Sequence, residues 1–146
     1  MSGYNKKSYV DSVADIINYL SDVREQQGIS IRGLATSMGV LPNSIVQWLN
    51  PNNNISIDNL VRLGNALGVT FSTSNTRSYD CSAEQLVELL QKAKVYQELT
   101  TRDLADMTGI VQPSVAGILG HRIIPRLNAY LLLADALGVD LEMYSN

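Results

Sequence analysis

One feature constrains this chain more than any other: it repeats itself at a single fixed spacing. Leu34-Ala35 recurs as Leu104-Ala105, Gly39 as Gly109, Ser44 as Ser114 and Leu49 as Leu119, each 70 residues on. The run Ala66-Leu67-Gly68-Val69 returns as Ala136-Leu137-Gly138-Val139 in the same frame, and Leu20 and Arg24 align with Leu90 and Lys94. No gap is needed anywhere in the match. Self-similarity of this kind marks one supersecondary unit used twice. The chain is therefore expected to hold two copies of a fold of about 65 residues, small but within the range of a domain. The expected boundaries are a tail at 1–8, a first domain at 9–71, a linker at 72–80 and a second domain at 81–146.

Each copy has the periodicity of helices. Val13, Ile16, Ile17, Leu20 and Val23 follow the i, i+3, i+4, i+7 rule, and Gly28 stands where that helix would stop. In the second copy Ser82-Ala83-Glu84-Gln85 forms a capping-box sequence ahead of Leu86, Leu89, Leu90 and Ala93. A second helix is expected after Ser30 and after Thr100, where Asp103 places a carboxylate on free N–H groups, with stops at Gly39 and Gly109. Pro42 and Pro113 suit the first turn of a third helix. A fourth begins near Ser56 and Arg126 and ends by Gly68 and Gly138. Val69 to Ser72 alternates briefly like a short strand. Residues 72–79 are polar and lack a helical period, as a linker would.

Composition closes off several classes. The 146 residues carry a formal charge of −3, so the chain is not a polycation that holds nucleic acid by bulk charge. One cysteine, Cys81, and one histidine, His121, exclude a disulfide framework and a structural zinc site, and no metal or cofactor is expected. No apolar run approaches the ~18–20 residues of a membrane span, and the first eight residues lack the core of a signal peptide. A cytoplasmic location is expected. The chain also lacks a phosphate loop and a nucleophile–base set, so it does not read as an enzyme.

Two short helices about a glycine turn describe a helix-turn-helix. Leu34, Ala35, Gly39, Val40, Ile45, Trp48, Leu63 and the closing 66–69 run resemble the lambda-repressor/Cro-like (XRE) helix-turn-helix family. The second copy is similar at least as closely, through Gly109, Ile110, Gln112, Ser114, Val115 and residues 127–130. The two matches span nearly all of the chain outside the tail and linker. The resemblance implies an all-α fold of two tandem domains, each of four to five helices. It also implies that the third helix of each copy lies in the major groove of double-stranded DNA.

On that resemblance Asn43, Ser44 and Gln47 would point outward in the first copy, while Ile45, Trp48 and Leu49 pack inward. In the second copy Gln112 matches a position that often reads a base, with Ser114 and Ala116 beside it. A glutamine amide offers adenine a donor and an acceptor together. Asn52, Asn53, His121 and Arg122 fall in the loop after the helix, where the family often meets phosphate, and Arg126 follows. Arg32 and Arg102 flank the backbone from matching places on the second helix. Two positions depart from the pattern. Ile31 and Thr101 replace a phosphate-contacting glutamine, and Pro42 cannot read a base, which makes the first copy the weaker reader. The Asn52–Asn54 run also fits a simple turn, and Lys6 and Lys7 fit either an arm along DNA or a polar tail.

The charges are arranged to suit such a surface. No acid lies between Glu25 and Asp58, where Arg32 sits, or between Asp106 and Asp135, where His121, Arg122 and Arg126 sit. Two classes of function compete. One is a bacterial or phage transcriptional repressor, bound to DNA as a homodimer or as an intramolecular pseudo-dimer. Half-sites lie about 34 Å apart, and the eight polar residues 72–79 of the linker reach just under about 30 Å. The other is a protein-binding module on the same fold, such as an antitoxin, an anti-repressor or an anti-CRISPR-like inhibitor. The DNA-binding class leads; the acidic balance, Pro42 and the missing glutamines motivate the alternative.

Overall fold

The structure, a computed structural model, describes residues 5–9 and 13–145. Residues 1–4, 10–12 and 146, which the expected tail and domain boundaries include, lie outside the described residues.

The chain is mostly helical. Helices α1 (Val13–Gln26), α2 (Ile31–Met38), α3 (Pro42–Trp48) and α4 (Ile57–Ala66) are followed by α5 (Ala83–Tyr96), α6 (Thr101–Thr108), α7 (Gln112–Leu119) and α8 (Leu127–Ala136). Every start in the second set lies 70 residues after its counterpart. Local chemistry sets these starts. Ser30 accepts a hydrogen bond from the Gly33 N–H, and Ser82 and Thr100 form complete capping boxes with Gln85 and Asp103. Gly39 and Gly109 close α2 and α6 with φ of 70° and 78°, a conformation that side chains with a Cβ disfavour.

Strands add a layer that the all-α expectation lacks. β1 (Asn5–Tyr9), β2 (Val69–Thr73) and β3 (Leu141–Ser145) form an antiparallel sheet in the order β1-β3-β2. The tail residues 5–8 are thus backbone of a strand, and Lys6 and Lys7 pair with Tyr144 and Met143. The brief alternation from Val69 to Ser72 is a strand, as expected. The linker differs from its expectation. Ser72 and Thr73 are buried β2 residues, and the Ser74 N–H and the Asp140 carbonyl bond at 2.9 Å. Asn75 donates from Nδ2 to the Leu89 carbonyl at 3.0 Å. The segment is bound along its first half to the sheet and to α5, so its contour length does not set the distance between the two helical sets.

Something closer sets it. Ser56 and Arg126, equivalent in the repeat, face each other in an antiparallel bridge. The Ile57 N–H donates to the Pro125 carbonyl at 2.9 Å, and the Leu127 N–H to the Ile55 carbonyl at 2.8 Å. Exchange of both bonds between equivalent positions defines a local two-fold axis at this bridge. Matching ties recur on each side. Gln27 donates from Nε2 to the Leu67 carbonyl at 2.6 Å, and Gln97 does the same to Leu137 at 2.7 Å. Each bond satisfies a carbonyl that a helix end leaves without a partner. Leu20, Leu34, Ile45 and Leu60 from one side join Leu90, Leu104, Val115 and Tyr130 from the other in a continuous apolar core.

Candidate nucleic-acid interface

The turn at Gly39 aims α3. Leu34, Ala35 and Ile45 are buried where α2 and α3 cross, and the Val40 N–H closes the turn onto the Ala35 carbonyl at 3.0 Å. The opposite side of α3 is thereby turned to solvent. Pro42, Asn43, Val46 and Gln47 are exposed there, and Ser44 is half-buried. Asn43 and Gln47 are four residues apart and so lie one above the other on one helix face. They present two amides, each a donor and an acceptor, beside the apolar Val46, a set suited to adenine edges and thymine methyl groups. Pro42 occupies the first turn, where its missing N–H costs no helical bond. Trp48 does not bury as its spacing implied. Its ring is half-buried, with the Arg62 guanidinium 5.9 Å from its centroid.

The second copy is built differently at the same place. Gln112 and Pro113 are exposed at the start of α7, and Ser114 and Ala116 are half-buried. Gly117, the equivalent of Gln47, is buried beneath Ile123, whose Cγ1 would lie 2.8 Å from any Cβ placed there. The Arg122 and Ile123 N–H groups both bond the Gly117 carbonyl, at 2.8 and 3.0 Å, folding the loop back over the helix. Gln112 therefore stands at one end of a shortened open face.

That folded loop separates two residues that sequence reasoning grouped. His121, exposed with φ of 61°, faces one side of the loop and lines a pocket with Asp58. Arg122 lies on the other side and lines a cleft of about 280 Å³ with Gln91, Lys94 and Thr101. Thr101 is the first residue of α6, so this cleft joins two cations to the positive end of a helix dipole, an arrangement suited to phosphate. Asp103 tempers it. Hydrogen bonds from the Thr100 backbone and side chain hold its carboxyl below the usual range, so it keeps its charge beside Lys94 and Arg102. Lys94 was missed by sequence reasoning, although its repeat partner Arg24 is also a cation. In the first copy Arg24 is committed internally, donating to the Ile29 carbonyl at 2.7 Å.

The remaining expected site residues scatter. Arg32 and Arg102 are exposed on the first turns of α2 and α6. Asn52 is exposed, with its N–H bonded to Asn50 Oδ1 at 3.0 Å, and the Asn53 N–H meets the Asn50 carbonyl, so the asparagine run forms a turn. Arg126 is drawn into the two-fold bridge, donating to the Asn54 carbonyl at 2.8 Å.

Comparison with known proteins adds one finding. Residues 20–73 match the model of a helix-turn-helix family, which supports a single XRE-like helix-turn-helix in that stretch and suggests, in general terms, a DNA-binding transcription regulator. No curated protein and no solved structure matches the chain. Among the described residues no helix is long and apolar enough to cross a membrane, and no cluster of ligands could hold a metal ion.

Proposed function

We propose that this protein is a transcriptional repressor that binds double-stranded DNA as a pseudo-dimer within one chain. In this reading α2–α3 and α6–α7 are two helix-turn-helix units related by the axis at Ser56 and Arg126. The observation that carries the reading is that bridge, because it joins the segments that lead from α3 and α7 into the next helices. A local two-fold between the third helices mirrors the symmetry of a palindromic operator. Asn43 and Gln47 on α3, and Gln112 at the start of α7, are the base readers. Lys94, Thr101 and Arg122 hold a phosphate, with Arg32 and Arg102 beside the backbone. Occupancy alone would block a promoter, without a cofactor.

A second reading is favoured by a specific observation. Leu41, Val46, Met107 and Val111 are between 53% and 74% exposed on the helix-turn-helix surfaces. Apolar side chains there also suit a protein-binding module, such as an antitoxin, an anti-repressor or an anti-CRISPR-like inhibitor.

Selection from a random duplex pool, at about 50 and about 200 mM salt, separates the two. A repressor retains an enriched motif that weakens with salt, and Gln47→Ala relaxes it at one position. Retention without enrichment, or none at either salt, contradicts DNA reading and leaves the protein-binding module.

A further inference from the structure

We infer that the chain has a binding site for a small aromatic amine, in a pocket where the two sides of its two-fold differ. The pocket holds about 370 Å³ and opens between the starts of α4 and α5, the end of α7 and the loop that follows. Its volume falls in the range of small-molecule sites, roughly 300–1,000 Å³. Val87, Ile118, Ile123 and Ile124 give the lining apolar walls, and it includes two acidic residues, Asp58 and Glu84. Ile57 and Asp58 come from the first half and the rest of the lining from the second, so an occupant would touch both.

The repeat shows what is missing here. On the other side of the axis Trp48 replaces Ile118, putting an indole where this side has a small aliphatic group. Asn54 and Asn128 replace Ile124 and Asp58, and they bond to each other, Nδ2 to Oδ1 at 2.5 Å and N–H to Oδ1 at 3.1 Å. On that side the loop is thus bonded to the start of α8. On this side an isoleucine and a carboxylate stand at the two positions and cannot bond to one another. Asp58 is instead held in place by the Ser56 hydroxyl, which donates to it at 2.6 Å.

The lining then specifies its ligand. A flat apolar body fills the space between the isoleucines, and an ammonium on a short arm meets Asp58 and Glu84. The lining contains no lysine or arginine, so an anion is disfavoured by like charge. An arylalkylammonium has this shape and sign. The site stands on the pocket alone and does not depend on DNA recognition.

Tryptamine is the probe, added to the full chain while the isoleucine methyl signals are followed by NMR. Saturable shifts are expected at Ile118, Ile123 and Ile124. Tryptophol, the same ring with a hydroxyl in place of the ammonium, should bind about tenfold more weakly, and indole-3-acetate weaker still. Asp58→Asn with Glu84→Gln should erase the preference for the amine while the far-ultraviolet spectrum stays unchanged. Ile118→Trp should fill the space and block all three. Absence of saturable shifts overturns the site. So does equal binding of amine and alcohol, or a preference for the amine that survives in the doubly neutralised variant.

Discussion

Ser72 and Glu142 face each other across the β2–β3 pair, and they are also equivalent positions of the repeat, 70 residues apart. Where a residue pairs with its own counterpart, the two-fold axis passes between the two. The same holds for Ser56 and Arg126 at the helix ends, so one axis is marked at two separate places. Neighbouring pairs obey it too, since Phe71 opposite Met143 maps onto Thr73 opposite Leu141. The two halves are thereby joined by a sheet, a bridge and a common core.

Shared structure of that extent predicts one unfolding transition. Trp48 is the only tryptophan and reports on the first half, while circular dichroism reports on both. Fluorescence and circular dichroism midpoints in urea should coincide. Two separated midpoints would show that the halves are independent beads.

Packing under the sheet predicts a rescue. A Cβ on Gly64 would run into Phe71 Cε2, and would lie 3.0 Å from Phe71 Cζ and 3.2 Å from the Val69 carbonyl oxygen. The second half solves the same site with Ala134 and Leu141. Gly64→Ala should destabilise by up to about 2 kcal/mol, an overpacking cost of about 1–3 less about 1 of helix propensity. In a Phe71→Leu background the same change should cost less, as a double-mutant cycle would measure. Equal costs in both backgrounds would contradict the shared site.

Cations on the surface divide into two kinds. Lys94→Ala and Arg122→Ala should each reduce the slope of log affinity for DNA against log salt by about 1. Arg126→Ala should leave that slope unchanged and lower stability by about 1 kcal/mol, because it loses a hydrogen bond to the Asn54 carbonyl. A change of slope with Arg126→Ala would move that residue to the DNA.

Alkali should test the sheet. Burial, then the hydrogen bond that Tyr144 donates to Glu142 at 2.8 Å, pushes its hydroxyl from 10.0 up to about 12. Burial raises Tyr130 as well, and its hydroxyl donates to the Leu86 carbonyl. Between the unfolded and folded values the native state holds more protons, so stability falls as pH rises. The contribution should be intact below about pH 10 and lost progressively toward about pH 12. Denaturation midpoints measured across that window check the sign. Tyr144→Phe should flatten the decline, and an unchanged decline would remove Tyr144 from it.

Helix starts were legible in the sequence because their causes are local. Ser82 with Gln85, Thr100 with Asp103, and the turn glycines each act within a few residues. The sheet was less legible. Ser72 and Thr73 resemble linker residues by composition, but their hydroxyls bond to the Ser78 carbonyl and to Asn75 Oδ1, which lets them be buried. Trp48 lies at an inward spacing, yet Arg62 from α4 covers part of its ring, a tertiary effect that no local pattern carries. The site was legible as a set of exposed polar residues on α3 and α7. The backbone fold over Gly117, which closes half of the α7 face, depends on a loop conformation invisible to periodicity.

The central claim is that one chain supplies both halves of a DNA reader. Stoichiometry on the selected duplex, by mass measurement of the complex together with footprinting, tests it most directly. The account predicts one chain per duplex, protecting two half-sites about ten base pairs apart. Two chains on such a site, or a single protected half-site, would contradict it.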